Sequence, residues 1–103
     1  MARRMLEEAG FDVIGEAADG ETALVTVAGL RPQLVLLDIQ LPGIDGFVVA
    51  SRLAEAGTGV RVILTSSRGA SDYGSRLARS SAIGFIPKAE LSGPALAGLL
   101  GAA

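Results

Sequence analysis

Cysteine and histidine are both absent from this 103-residue chain. The first absence removes disulfides, thiol nucleophiles and thiolate metal sites. The second removes imidazole ligands and the histidine general base, and with them much enzyme chemistry. Tryptophan is absent too and aromatics make up only 4% of residues, so large flat aromatic binding surfaces are not expected. Neither sign of charge dominates: nine basic and eleven acidic residues give a formal net charge of -2, and the basic ones are scattered along the chain. That leaves no electrostatic footprint for a nucleic-acid duplex or an anionic membrane. No apolar run approaches the roughly 20 residues needed to span a bilayer, and the opening MARRMLEEAGF has too short an apolar stretch for a secretion signal. The expectation is a soluble, cytoplasmic protein that contacts neither nucleic acid nor membrane directly.

What the chain has is aliphatic: half of its residues are hydrophobic, enough at this length for one domain with a core of Leu, Val, Ile and Ala. Helical and strand-like segments alternate. Met1 to Ala9 has helical spacing and Gly10 closes it as a C-cap would; Phe11 to Ala17 alternates like a half-buried strand. Gly20 to Leu30 reads as a helix entered through Asp19 as N-cap. Gln33 to Asp38 is nearly all apolar, as a strand covered on both faces would be. A helix follows at Asp45 to Ala56, a strand at Val60 to Thr65, a short helix at Ser71 to Arg79, a strand at Ile83 to Ile86 and a last helix at Leu91 to Leu100. Such alternation predicts βα units, a parallel sheet and right-handed crossovers. The chain opens on a helix that has no strand before it.

Ligands of parallel α/β sheets bind outside the carboxyl ends of the strands. Those ends carry Asp38, Thr65 followed by Ser66 and Ser67, and Lys88, so a carboxylate, a hydroxyl and an ammonium are expected at one crevice. Asp38 needs compensation there, because a carboxylate at the end of an apolar run is costly unless it is paired. Lys88 is the only lysine beside eight arginines, and a compact point charge suits a buried carboxylate or a phosphoryl oxygen. Each residue also has an ordinary reading: a turn aspartate, a β-branched strand residue, a solvated lysine. It is the combination that indicates a site for an anionic group on or near Asp38, and carboxylate nucleophiles form aspartyl-phosphates.

The stretch LVLLDIQLPGIDGF, from Leu34 to Phe47, resembles the phosphoacceptor segment of bacterial response-regulator receiver domains. Asp38 stands in the place of the acceptor, Pro42 and Gly46 in those of the loop proline and glycine. ILTSS places Thr65 as the switch hydroxyl; GFIPKAEL places Phe85 as the switch aromatic and Lys88 as the lysine. DVIGEAADGETAL is similar to regulators that carry a helix-turn-helix output domain. The resemblance covers essentially the whole chain. It implies a flavodoxin-like (CheY-like) three-layer αβα fold and a role in two-component phosphorelay signalling. In that role a histidine kinase or small phosphodonor passes a phosphoryl group to Asp38, Thr65 and Lys88 bind its oxygens, and Thr65 and Phe85 switch partner binding. No enzymatic activity is implied beyond self-catalysed phosphoryl transfer and autodephosphorylation.

The chain departs from the family at its start. Receiver domains begin with a strand ending in an acidic pair that holds Mg²⁺ with the acceptor aspartate and a backbone carbonyl. Here that strand, its loop and the first helical turns, roughly 15 to 20 residues, are missing. Only Asp38 and the carbonyl of Gln40 are left as ligands. Mg²⁺ keeps its waters tenaciously, so weak or absent binding and slow or absent phosphorylation are expected. Four strands remain, in a single truncated receiver domain over residues 1–103 without an output domain. In the family order 2-1-3-4-5 the loss leaves the Phe11 and Gln33 strands with unpaired inner edges. Either these close up on each other, which would bring Asp19 toward Asp38, or a partner fills the gap, with a homodimer formed along the open edge or by exchanged elements. Ala89 follows Lys88 where the family commonly has a proline. Two other functions compete. One is a degenerate pseudo-receiver acting as a phosphorylation-independent interaction or dimerisation module. The other is an aspartyl-phosphate phosphohydrolase, disfavoured because Gln40 occupies the place of its second aspartate.

Overall fold

The computed structural model describes residues 3–101. Helix α1 (Arg3–Glu8) is followed by an irregular stretch, α2 (Gly20–Leu30), β1 (Leu34–Asp38), α3 (Gly46–Glu55), β2 (Arg61–Ser66), α4 (Ser75–Arg79), β3 (Gly84–Pro87) and α5 (Gly93–Gly101). Short 3-10 turns lie at Ala70–Asp72 and Lys88–Glu90. Met1 and Ala2, the first residues of the expected first helix, lie outside the described residues.

Local chemistry accounts for the helix ends. Asp19 accepts a hydrogen bond from the Thr22 N–H and Asp45 accepts one from the Val48 N–H, each filling an orphan donor of a first turn. After α1, Gly10 takes a φ of +95° and the Phe11 N–H returns to the Leu6 carbonyl at 2.9 Å, the left-handed ending that glycine allows. Helix α2 ends the same way on Arg31, which holds φ at +50° without glycine's freedom.

The sheet is parallel throughout, in the order β1-β2-β3. The alternation along β2 divides the core. Val62 and Leu64 face α2 and α3, packing with Leu37, Ala23, Val27, Val49, Ala50 and Leu53. Ile63 faces the other way, with Ile86 and Leu96, and is covered by Met5, Leu6, Phe11 and Leu99 from α1, its following loop and α5. Helices on both faces of a parallel sheet give the three-layer αβα arrangement expected from the alternation.

The expectation of four strands is not met. Phe11 to Ala17 forms no strand: Phe11 and Val13 are half-buried, and Ile14 is 49% exposed. A strand exists by its ladder of hydrogen bonds, and an alternating pattern cannot supply the neighbour. In the strand order that the resemblance implies, this segment's only neighbour is a first strand, which is absent among the described residues. Nor do the two segments close up. β1 pairs with β2 alone among the described residues, and Phe11 to Ala17 is tied instead to α1, where Arg3 reaches Glu16 at 2.8 Å and the Val13 carbonyl at 3.3 Å.

Candidate functional site

Strand register builds the site. Asp38 stands opposite Thr65, and Thr65 opposite Ile86, so the carboxyl ends of three strands form one line, with Lys88 two residues beyond. The turn after β1 is fixed by the Ile39 N–H donating to the Thr65 carbonyl at 2.8 Å and the Gly46 N–H donating to the Ile39 carbonyl at 2.9 Å. Gly46 is required by this close approach: a Cβ there would fall 2.5 Å from the Asp38 carbonyl oxygen and 2.8 Å from the Ile39 Cα. Pro42 sits exposed in the same loop, its carbonyl accepting from the Gly20 N–H at 3.4 Å.

Both oxygens of Asp38 are engaged. Oδ1 accepts from the Gln40 N–H at 2.9 Å, and Oδ2 lies 2.5 Å from Lys88 Nζ. The two side chains are only 23% and 29% exposed, which makes this the most sheltered ion pair among the described residues. The ammonium compensates the carboxylate, so the apolar run can end on a charge. The expected meeting of Asp38 and Lys88 is thus observed. Thr65 is close by and 4% exposed, but its Oγ1 donates to the Ile86 carbonyl at 2.6 Å rather than facing the carboxylate. Phe85 lies on the α4 side of β3, half-buried with its ring edge toward Tyr73 at 6.1 Å.

At Asp38 the described residues would offer Mg²⁺ that carboxylate and the Gln40 carbonyl. No three acidic side chains among them gather around a common point, and the carboxylate of Asp38 already serves Lys88 and Gln40. Asp19 is engaged at the start of α2. Its carboxylate accepts from the Thr22 N–H at 2.8 Å and the Thr22 hydroxyl at 3.1 Å, and these bonds hold it below the usual carboxylate range. A hard cation that keeps its waters gains little from one carboxylate and one carbonyl.

Sequence reasoning passed over a second group at this end of the sheet. The Gln40 side-chain oxygen accepts from the hydroxyls of Ser67 at 3.0 Å and Ser66 at 3.3 Å. Ser66, fully buried, lies 2.6 Å from the Tyr73 hydroxyl and accepts from the Arg68 N–H at 3.1 Å. Tyr73 in turn lies edge-on between Phe47, at 5.6 Å, and Phe85. Arg76 covers the other face of this cluster, 4.3 Å above the Phe47 ring and 3.5 Å from Asp45. The pair of serines after Thr65 and the only tyrosine of the chain were the traces of this group in the sequence.

Comparison with known proteins agrees with the geometry. The family model described as the response regulator receiver domain matches residues 1–94. The BvgA virulence-factor transcription regulator of Bordetella pertussis is 38% identical over 88 residues, which are 85% of this chain and 42% of that protein. The response regulator GacA of Pseudomonas protegens is 27% identical over 88 residues, 85% of this chain and 41% of that protein. The chain therefore spans less than half the length of these relatives. Among solved structures, the receiver domain of the response regulator NarL from Mycobacterium tuberculosis superposes with a TM-score of 0.81 at 29% identity, covering 97% of this chain and 84% of that one. A chain of the CheX-CheY-BeF3-Mg²⁺ complex from Borrelia burgdorferi gives 0.81 at 28% identity, covering 97% and 75%. With the fold, the register and the family match in agreement, the chain belongs to the response regulator receiver domains of two-component signalling.

Proposed function

We propose that Asp38 is the phosphoacceptor and that Lys88 and Thr65 are the groups that receive the transferred phosphoryl oxygens. The observation carrying this reading is the Lys88–Asp38 pair at 2.5 Å, largely sheltered at the carboxyl end of a parallel sheet with Thr65 in register beside it. An oxygen of the Asp38 carboxylate attacks the phosphorus of a phosphohistidine in a kinase, or of a small acyl phosphate. The donor's P–N or P–O bond breaks, its electron pair leaves with the imidazole or carboxylate, and an acyl phosphate forms on Asp38. Lys88, already on this carboxylate, neutralises part of the charge on the incoming group. Thr65 exchanges its bond to the Ile86 carbonyl for one to a phosphoryl oxygen. Since Phe85 precedes Ile86, this exchange is felt at the switch aromatic, and the face bearing α4 and α5 changes its affinity for partners. The free edge of β1 also offers unpaired main-chain groups to a partner strand, a second copy of the chain included.

The test is intact-mass detection of a base-labile phosphoryl adduct after incubation with acetyl phosphate, with and without Mg²⁺, alongside Asp38→Ala. An adduct lost in the variant supports the reading. A folded chain that gains none in either condition overturns it, and leaves a phosphorylation-independent interaction module, for which sedimentation of the chain alone and with candidate partners is the measurement.

A further inference from the structure

The buried hydroxyl of Ser66 joins two parts of the molecule that no strand or helix connects. On one side it meets Gln40, whose main-chain N–H holds the Asp38 carboxylate. On the other it meets Tyr73, 2.6 Å away, whose ring stands between Phe47 and Phe85. Ser66 has one proton. With that proton directed to the Gln40 oxygen, which can only accept, the Tyr73 phenol donates to Ser66, and a directed chain runs from phenol to serine to the acceptor loop.

Helix α4 depends on this chain. It is only five residues long, has no buried residue, and follows Gly74, which takes a φ of +57°. The segment from Ala70 to Arg79 is held to the core through Tyr73 and Leu77. So short a helix has little stability of its own, and its position is set by those two anchors.

We propose that Tyr73 is a positioning residue that latches the α4 segment to the end of β2 through Ser66, and that the latch opens when the acceptor site is occupied. The trigger rests on the phosphoacceptor reading. Thr65 and Ser66 are consecutive, so a movement of Thr65 toward a phosphoryl group on Asp38 draws the Ser66 hydroxyl away from the phenol. Gln40, the other end of the chain, lies in the loop that the same group must displace. The Tyr73 ring, released at its hydroxyl, then turns against Phe85 and Phe47 and carries α4 with it. Phe85 thereby receives the state of the site by two routes, one through the Ile86 carbonyl and one through Tyr73.

Because Tyr73 is the only tyrosine, growth on 3-fluorotyrosine gives one fluorine resonance that reports it alone. The resting latch is tested first. Ser66→Ala and Tyr73→Phe are each expected to speed amide hydrogen exchange across residues 70–79 about five-fold, the effect of one neutral hydrogen bond. The double variant should exchange no faster than either single one, and β2 should keep its protection in all of them. Unchanged exchange in both single variants, or additive effects in the double, overturns the latch whatever the acceptor site does. The trigger is tested with acetyl phosphate and Mg²⁺, adduct formation being followed by mass in the same samples. An adduct with a displaced fluorine resonance in the wild type, and little displacement in Ser66→Ala, supports the opening. An adduct with an unmoved resonance overturns it while the phosphoacceptor reading stands. No adduct overturns that reading and the trigger together, and the exchange experiment then decides the latch by itself.

Discussion

Lys88 reaches Asp38 from the far edge of the sheet: β1 and β3 are not paired, yet the ammonium and carboxylate lie 2.5 Å apart over the end of β2 that separates them. The pair thus spans all three strands. Removing the lysine leaves a carboxylate that is three-quarters sheltered and held only by one main-chain N–H. Lys88→Met is expected to lower stability by about 2 kcal/mol, between the values for exposed and buried pairs. Adding Asp38→Leu should recover most of the loss. Urea unfolding of the two variants beside the wild type measures both.

Gly46 is where the acceptor loop and α3 come closest. A methyl group at this position meets the main chain of Asp38 and Ile39, which cannot swing aside as a side-chain end would. Gly46→Ala is expected to cost about 2 kcal/mol, in the range of overpacking. Because the strain falls on the Asp38 carbonyl, the variant should also shift the amide resonances of Ile39 and Gln40. A loss confined to α3 would show that the loop is not under this constraint.

Most of this architecture was legible because short-range physics sets it. The periodicities of Gly20 to Leu30 and Asp45 to Ala56, with Asp19 as a cap, and the apolar runs ending at Asp38 and Thr65, are properties of single segments. Parallel order then fixes which ends meet, so Asp38, Thr65 and Lys88 could be gathered from spacing and motif. The failure at Phe11 to Ala17 has the opposite origin: alternation records a half-buried face, while a strand needs a neighbour, which lies elsewhere in the chain or nowhere. Tyr73 was missed for a related reason. A lone aromatic in the turn before a short polar helix carries no periodic trace, and its bond to Ser66 exists only after that turn is set beside the end of β2.

Arg31 holds a left-handed conformation at the end of α2, donating its N–H to the Val27 carbonyl at 2.8 Å. The conformation satisfies the helix end but crowds an arginine Cβ. Arg31→Gly keeps the bond without the crowding, and should raise stability by about 0.5–1 kcal/mol even after glycine's greater chain entropy. Thermal unfolding reads the change. A lower melting temperature would mean that the arginine side chain supplies more than the backbone costs.

The cap on α2 makes a pH-dependent contribution of known sign. Hydrogen bonds from Thr22 hold Asp19 below its ordinary range, so the unfolded chain binds this proton more readily than the folded one. The contribution is fully present above the unfolded carboxylate range, near pH 4, and is lost as pH falls through the lower, folded value. Asp19→Asn caps the helix without titrating. The stability difference between wild type and variant should therefore be constant from pH 7 to about 5 and then shift against the wild type toward pH 3. A flat difference would show that the carboxylate is not held by Thr22 in solution.

Hydrogen exchange separates a strand from a segment that only looks like one. In β2, the central strand of the sheet, amides are paired on both sides and covered by helices, so Ile63 and Leu64 should open only with the whole domain. Asp12 to Ala17 pairs with no strand, and its amides should exchange orders of magnitude faster. β1 is intermediate, paired along one edge only. The experiment also asks what Phe11 to Ala17 lacks. If a supplied apolar peptide strand inserts between this segment and β1, protection should rise on both together, the cooperative signature of a ladder. Protection on β1 alone would mean that the segment's alternation serves only to cover Leu36 with Phe11.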